Sequence, residues 1–255
     1  MSRYLSIAAA LAAFFLIAIL GSAPSRAEMD AAQKAEIEKI VRDYILANPE
    51  ILDEAAQALQ QKRDQELAES QMRAIEEKAQ TIFNSEHQAV IGNPEGAITL
   101  VEFFDYNCSY CRRAVSDMTA LLEANPDVRM VMKEFPILSE GSVEAARISV
   151  AVKDIAPDKY LAFHQELFTR PGQAGTAKAL QVAADLGLDA EALKAAANAG
   201  DVTQSLQEVH QLATDLGISG TPSYVIGKAI IPGAIGFDGL QSIVSAVRQC
   251  GATVC

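Results

Sequence analysis

The chain is short of several residue types, and these shortages narrow the classes of protein it can be. Tryptophan is absent, three residues are histidine, four are cysteine, and 21 basic residues stand against 33 acidic ones. A chain of formal net charge −12 repels phosphate backbones, so we expect no nucleic-acid partner. His87 and His210 lack the spacing of metal ligands, and His164 falls in an amphipathic segment, where packing is its expected role. We therefore predict no resident metal site.

Long apolar runs are also scarce, and the one at residues 5–20 lies near the start of the chain. Arg3 precedes it, and Ser25-Arg26-Ala27 follows with small residues at its first and third places. This order is typical of a secretory signal peptide, and the run is shorter than the roughly 20 residues that span a bilayer. We predict a signal peptide over residues 1–27, cleaved after Ala27, and export to the periplasm, where disulfides persist.

Residues 28–85 are predicted to form an N-terminal helical arm. Ile37, Val41 and Tyr44 share one helical face. Asn48-Pro49 predicts a break and restart of the helix, with Asn48 as the N-cap of the second helix and Pro49 at its first position. Apolar residues then recur at steps of four and three positions at Ala68, Met72, Ile75, Ala79 and Ile82. Such a helix packs either on its own domain or on copies of itself, so a homo-oligomer through this arm is one of two interpretations.

Residues 86–255 are predicted to fold as one α/β domain. Short apolar segments at Ile98–Phe104 and residues 128–135 predict two strands, and two more are predicted at residues 224–226 and 229–231. Between them, residues 139–216 read as helices throughout. The predicted caps are Asn107 for a helix that starts at Cys108, and Asp238 for the final helix. The element order predicts a small sheet whose chain is interrupted by a helical insertion.

Cys108 and Cys111 are separated by two residues, and three interpretations compete for this pair. A zinc site would need a second half, for which Cys250 and Cys255 are available, but structural zinc pairs usually occupy tight turns rather than a strand-to-helix junction. A purely structural disulfide would close a very small loop and stabilise little. The remaining interpretation is a redox centre.

The redox interpretation assigns different roles to the two sulfurs. The thiolate is the reactive form, and the first turn of a helix favours negative charge because its backbone N–H groups are unpaired. We therefore predict that Cys108 is the exposed, attacking sulfur. Cys111, one turn later in line with the apolar stripe, is predicted to be shielded and to resolve the mixed disulfide.

Glu102 interrupts the apolar strand that precedes the cysteines. A buried carboxylate is costly and usually has a function, so Glu102 is predicted to accept the proton of Cys111. The alternative is a solvent-facing Glu102 on an edge strand. Cys250 and Cys255 are predicted to form a structural disulfide that holds the C-terminus, with a second redox pair as the minority interpretation.

The segments FFDYNCSYC, KYLAFHQELF and DLGISGTPSYVIG resemble the DsbA family of exported thiol–disulfide oxidoreductases. The resemblance covers residues 93–249 and implies a thioredoxin fold with an inserted helical domain. The arm segment VRDYILANPEILDEA is similar to that of the ScsC-like subgroup, in which the arm can oligomerise the protein.

This resemblance implies roles for individual residues. Cys108 matches the family's nucleophile, Cys111 its resolving cysteine, Glu102 its buried acid and Pro222 its cis-proline. The sequence departs from the strongest oxidants at Ser109-Tyr110, where those have Pro-His, and Thr221 is similar to isomerase-type sites. Ser109 and Tyr110 are therefore expected to set the redox potential.

Two functions follow from the sequence. The first is an exported disulfide oxidase or isomerase that acts on cysteines of substrate proteins and is reset by a membrane redox partner. The second uses the same pair, Cys108 and Cys111, to bind copper(I), because paired thiolates suit this soft ion. Without copper, no cofactor is expected.

Overall fold

A computed structural model describes residues 29–255, and the predicted signal peptide lies outside these residues. The chain divides into a unit that ends at Lys62 and a second unit, Arg63–Cys255. The first part of the chain holds helix α1, and helix α2 runs across the division. The bounds of the helices that precede the sheet are α1 Ala31–Ala47, α2 Glu50–Glu77 and α3 Ala79–Asn84.

The helical arm has the predicted break, although Asn48 serves a different helix from the one expected. Its side-chain amide donates a hydrogen bond to the carbonyl oxygen of Tyr44, so Asn48 caps the end of α1 rather than the start of α2. The division of the chain after Lys62 places the last part of α2 and all of α3 in the second unit. Ile75 and Ile82 are buried in the second unit, and this packing joins residues 63–84 to it.

The second unit is built around a five-stranded sheet with strand order β1-β3-β2-β4-β5. Strand β2 lies parallel to β3, and the other neighbouring pairs are antiparallel. The strands are β1 Ala89–Gly92, β2 Ile98–Phe104, β3 Val128–Glu134, β4 Ser223–Ile226 and β5 Ala229–Pro232. Sequence patterning missed β1, which has four residues and pairs with the edge of β3.

The remaining helices complete the predicted α/β architecture, a thioredoxin-like domain with an inserted helical domain. Helix α4 connects β2 to β3, five helices form the insertion between β3 and β4, and the last helix follows β5. Their bounds are α4 Ser109–Ala124, α5 Glu140–Ile155, α6 Tyr160–Thr169, α7 Thr176–Asp185, α8 Ala190–Ala197, α9 Gly200–Leu216 and α10 Gly236–Cys250. The last helix begins two residues before Asp238, so this residue lies in its first turn and does not cap it.

Two hydrophobic clusters cover the two faces of the sheet. Alternate residues of a strand point to opposite faces, so Leu100 and Phe104 belong to one cluster and Val101 and Phe103 to the other. The first cluster contains Met118 and other residues of α4, together with most of the insertion. The second contains Ile75 and residues of α9. No helix within residues 29–255 is long and apolar enough to cross a membrane.

Candidate active site

The sulfur of Cys108 lies where the N-terminus of α4 meets the loop before β4. Cys108 is the N-cap of α4, and the backbone N–H of Cys111 donates to its Sγ over 3.4 Å. The Cys108 Sγ is also 3.1 Å from the carbonyl oxygen of Thr221, to which the thiol donates. The predicted cap, Asn107, is thus one residue too early.

Cys108 is less accessible than its position on the helix predicts. Only 6% of the residue is exposed, so the prediction of an exposed sulfur is wrong. The reason is the approach of the Thr221 loop, which packs against the sulfur from a distant part of the chain. An incoming group must therefore reach Cys108 along a defined direction.

Cys111 is shielded, as its place on the apolar stripe predicts. It is 1% exposed and belongs to the cluster between α4 and the sheet. Burial raises the pKa of the Cys111 thiol well above its usual range, and the charge of Glu102 raises it further. A hydrogen bond from the Asp105 main chain opposes this shift in part. Cys108 and Cys111 are both free thiols in the structure.

Glu102 is buried in the centre of the sheet, with 4% of the residue exposed. Strand β2 lies between β3 and β4, so the alternative of a solvent-facing edge position is wrong. Glu102 alternates with Leu100 and Phe104 and therefore faces α4 and Cys111. Burial raises the pKa of Glu102 to about 8. The carboxyl is mostly protonated at neutral pH and close to the point where it can exchange that proton.

The peptide bond between Thr221 and Pro222 is cis. Pro222 is buried and Thr221 half-buried, directly before β4. Tyr224 lies opposite Glu102 in the β2–β4 register and is buried as well. The structure therefore brings Cys108, Cys111, Glu102 and Thr221-Pro222 to one place.

Ser109 and Tyr110, the residues between the cysteines, are both exposed. The guanidinium carbon of Arg113 lies 4.4 Å from the centre of the Tyr110 ring, a cation–π contact on the outer surface of α4. Tyr110 thus stands at the entrance to the site, on the opposite side from Cys111.

Sequence patterning missed two residues that hold the loop before Cys108. The carboxylate of Asp105 accepts hydrogen bonds from the backbone N–H groups of Asn107, Ile137 and Leu138 over 2.7–2.9 Å. The backbone N–H of Cys108 donates to the Asp105 carbonyl. An Asp followed two residues later by Asn is a signal for this local turn, and it was visible in the sequence.

Asn107 connects the same loop to the helical insertion. Its side-chain amide nitrogen donates to the Ser142 hydroxyl and the Ala174 carbonyl, each at 3.0 Å, and its oxygen accepts from the Ala174 N–H at 2.7 Å. Gly141 allows this contact, since a Cβ there would lie 2.5 Å from the Ala174 oxygen. The insertion is therefore fastened to the residue that precedes Cys108.

A buried polar network lies beside this loop. The Tyr106 hydroxyl is 2.7 Å from the Ser149 hydroxyl and 3.2 Å from His164 Nδ1, and Ser149 and Tyr160 both donate to Glu134. Burial lowers the pKa of His164 to about 3, so its ring is neutral. His164 is a packed core residue, as the sequence indicates.

The other two cysteines form a disulfide between Cys250 and Cys255 at the exposed end of α10. Across residues 29–255, no three His, Cys, Asp or Glu side chains come together in a way that could hold a metal ion.

Sequence comparison places most of this unit in a single family. Residues 99–245 match the profile of the DSBA-like thioredoxin domain, and residues 33–66 match that of the copper resistance protein ScsC N-terminal domain. The first match includes the two free cysteines, Glu102 and the cis-proline.

Solved structures give the same result. A thioredoxin-like oxidoreductase from Silicibacter pomeroyi DSS-3 is 43% identical, with 67% of this chain and 98% of that chain covered and a TM-score of 0.64. Proteus mirabilis ScsC in a transitional conformation is 33% identical, with 85% of this chain and 97% of that chain covered and a TM-score of 0.63.

Curated relatives share less of the sequence. Disulfide bond formation protein D of Bacillus subtilis (strain 168) is 24% identical over 62% of this chain and 75% of that protein. Matches to Na(+)/H(+) antiporters NhaA also occur, and the chain spans about a quarter of the length of those relatives.

Proposed function

The chain belongs to the DSBA-like thioredoxin domain family, and we propose that it is an exported protein disulfide oxidoreductase, an isomerase or oxidase that uses Cys108 and Cys111. The observation that carries the proposal is the arrangement of Cys108 Sγ. A backbone N–H of α4 donates to it, and the carbonyl before a cis-proline lies 3.1 Å away. Membership of the family supports oxidoreductase activity. The assignment as an isomerase or an oxidase is our own proposal.

The first chemical step is an attack by the Cys108 thiolate on a substrate disulfide. A bond forms between Cys108 Sγ and one substrate sulfur, the substrate disulfide breaks, and the other substrate sulfur leaves as a thiolate. The helix N-terminus stabilises the attacking thiolate before this step. The product is a mixed disulfide between Cys108 and the substrate.

The second step depends on Cys111 and Glu102. Cys111 must lose its proton to attack the Cys108 sulfur, and burial opposes that loss. Burial raises the pKa of Glu102 to about 8, and the minor ionised form of this carboxyl at neutral pH is the buried base that accepts the proton. The new Cys108–Cys111 disulfide releases the substrate as a thiol, so the substrate gains two electrons and the protein loses two. Oxidation of a substrate dithiol is the same sequence in reverse.

The direction of the reaction follows from the redox potential, which Ser109 and Tyr110 are expected to tune. Ser109-Tyr110 carries no imidazole to stabilise the Cys108 thiolate, so we place the pair between thioredoxin, near −270 mV, and DsbA, near −120 mV. In the isomerase direction, Cys108 attacks and is displaced again by another substrate cysteine. A membrane redox partner would return the Cys108–Cys111 pair to the redox state in which it reacts with substrate.

The N-terminal arm offers a surface for a homo-oligomer. No residue of α1 is buried, and its apolar side chains are exposed at Ile37, Ile40, Val41, Tyr44 and Leu46. An amphipathic helix of this kind is stabilised when its apolar face is covered, and a second copy of α1 presents a matching face. Several active sites in one assembly would favour isomerase work, because one substrate could meet more than one of them.

A second candidate function is copper(I) binding by the same cysteines. The supporting observation is that Cys108 and Cys111 are both free and lie within one helical turn. Thiolates are ligands that copper(I) prefers. The two functions differ in turnover, since a protein that only binds copper does not exchange disulfides.

The test of the proposed function is turnover on two model proteins, one with scrambled disulfides and one reduced. We expect recovery of native disulfides in at least one of them, and loss of this activity with Cys108→Ser. A protein that leaves both substrates unchanged, in glutathione buffers from reducing to oxidising, would be incompatible with the proposal.

A further inference from the structure

A groove of about 640 Å³ opens beside the active site. Tyr110 borders it on the side of the cysteine helix, and Thr221 and Pro222 border it on the side of the cis-proline loop. Ile230 and Pro232 of β5 contribute further apolar surface. Thr221 also contacts Cys108 Sγ through its carbonyl oxygen, so one residue borders both the groove and the reactive sulfur.

The far wall of this groove comes from the part of α2 that belongs to the second unit. Leu67 and Gln71, one turn apart, line it opposite the cis-proline loop. Leu67 is 55% exposed, so its side chain is open to an incoming group. The amide nitrogen of Gln71 lies 4.0 Å from the position that a Cβ on Gly217 would take, so this side chain borders the loop before Thr221.

Three contacts hold this wall in place. Ile75, one turn beyond Gln71, is 2% exposed and packs in the cluster behind the sheet. The Glu76 carboxylate is 2.6 Å from the Lys228 ammonium in the β4–β5 turn. The Lys78 ammonium is 2.8 Å from the Asp215 carboxylate near the end of α9. The position of Leu67 and Gln71 is therefore set before any ligand arrives, which lowers the entropic cost of binding.

The chemistry of the groove selects against charge. Among the described residues that line it, none has a charged side chain. A charged group that entered would lose hydration without gaining a partner, whereas an apolar side chain would bury surface against Leu67 and Ile230. The Gln71 amide can donate and accept hydrogen bonds, so a peptide backbone is also accommodated.

We propose that Leu67 and Gln71 determine substrate specificity, by binding an uncharged, apolar segment next to the substrate cysteine that is joined to Cys108. The inference rests on the proposed function, since only a substrate held at Cys108 is guided into the groove. This proposal gives the segment of α2 that contains Leu67 and Gln71 a role in substrate recognition. That role is separate from any role of the arm in oligomerisation.

The test uses short peptides, each with one cysteine carried as a mixed disulfide with thionitrobenzoate. Attack by reduced protein on the peptide sulfur joins the peptide to Cys108 and releases the coloured thionitrobenzoate. One peptide has leucine on both sides of the cysteine and the other has serine, so charge does not differ. The symmetric reagent dithiobis-nitrobenzoate reports the reactivity of Cys108 without a peptide.

The wild-type protein is expected to react about tenfold faster with the leucine peptide than with the serine peptide, the low end of what an apolar contact contributes to specificity. Leu67→Asn removes most of this preference, measured as the ratio of the two peptide rates after each is divided by the rate with dithiobis-nitrobenzoate. Leu59→Asn is the matched control, the same change on the same helix at a site that is 49% exposed and does not line the groove. It should retain the preference.

A second pair of variants tests the wall through charge. Gln71→Glu places one negative charge in the groove. Gln65→Glu places the same charge about 120° away around α2, since six residues turn by about 600°, and Gln65 does not line the groove. Gln71→Glu should speed the reaction of a lysine-flanked peptide about fivefold relative to the leucine peptide, as expected for a close ion pair at partial exposure. Gln65→Glu should not.

The outcomes separate this inference from the function on which it rests. A wild-type protein that releases thionitrobenzoate from neither the peptides nor the symmetric reagent contradicts the proposed function. If it reacts with all of them and shows no leucine preference, the inference is overturned. The inference is also overturned if Leu67→Asn and Leu59→Asn show the same leucine preference and the two glutamate variants react with the lysine-flanked peptide at the same relative rate. The glutamate pair decides the matter if Leu67→Asn does not fold.

Discussion

Cys108 Sγ and the carbonyl oxygen of Thr221 lie 3.1 Å apart, although the two residues are separated by 113 positions in the chain. The whole helical insertion, α5 to α9, lies between them in sequence. The site therefore exists only when β2 and β4 are paired, and disulfide chemistry at Cys108 depends on the folded sheet.

The first prediction separates the two cysteines. Cys108→Ser should reduce the release of thionitrobenzoate from the symmetric reagent to background, because the attacking sulfur is gone. Cys111→Ser should keep the first attack and accumulate the mixed disulfide at Cys108, detected by intact mass. The double variant Cys250→Ser/Cys255→Ser is the control and should exchange at the wild-type rate. Equal rates for Cys108→Ser and the wild type would show that another group reacts.

The second prediction concerns Glu102 and stability. Burial raises its pKa to about 8 in the folded protein from the ordinary value of 4.5, so between these pH values the folded protein holds a proton that the unfolded chain has released. The free energy of unfolding should therefore fall as pH rises through this window, by at most about 1.4 kcal/mol per pH unit. Glu102→Gln should reduce this decline, as measured by urea unfolding at pH 5 and pH 8, and the raised pKa of the buried Glu134 accounts for part of what remains. An unchanged slope in the variant would exclude Glu102 as its source.

The same residue should affect the resolving step. Without the carboxylate, Cys111 has no buried base, so Glu102→Gln should slow the conversion of the mixed disulfide by about 10²-fold, the low end of general base catalysis. The rate of the first attack at Cys108 should change much less. Rapid mixing at pH 7, followed by an acid quench at set times, separates the first attack by Cys108 from the resolution by Cys111. A variant that slows both equally would indicate a structural effect.

The third prediction concerns Asn107 as a positioning residue. Asn107→Ala removes the bonds to Ser142 and Ala174, so the loop before Cys108 is no longer fastened to the insertion. We expect kcat for exchange to fall about tenfold, equivalent to about 1.4 kcal/mol, while KM stays the same. Asn107→Asp keeps the acceptor for the Ala174 N–H and should recover part of kcat. A rise in KM alone would argue for a substrate contact instead.

The fourth prediction tests the boundary between the two units. Ile75→Ala should destabilise the second unit by about 2–5 kcal/mol, because the side chain is buried against the sheet. Leu59→Ala, at an exposed site in the first unit, should change its stability by less than about 0.5 kcal/mol. Thermal unfolding followed by near-ultraviolet circular dichroism measures both. Equal effects would mean that the unit does not begin at Arg63.

Local sequence patterns were enough to predict most of the architecture and the central cysteine pair. The strand before Cys108, the apolar stripe through Cys111 and the helical insertion are each encoded by residues close in sequence. The burial of Cys108 could not be predicted, because it arises from contact with Thr221 in a distant segment. The same applies to Ile75, whose periodicity suits either a self-associating helix or one that packs on the sheet.

The residues missed by sequence reasoning act through long-range hydrogen bonds. Asp105 and Asn107 form a local turn, but their partners at Ile137 and Ala174 lie in the insertion. Strand β1 escaped prediction because its four residues become a strand through pairing with β3. Leu67 gave no signal as a groove residue, since every lining residue other than Gln71 follows it by more than forty positions.

The most direct test of the proposed function is a redox titration of the Cys108–Cys111 pair in glutathione and dithiothreitol buffers, read by alkylation and intact mass. The account predicts one two-electron transition between about −270 and about −120 mV that disappears with Cys108→Ser and persists in Cys250→Ser/Cys255→Ser. A protein whose Cys108 and Cys111 remain free thiols across this whole range, or whose transition survives Cys108→Ser, would contradict it.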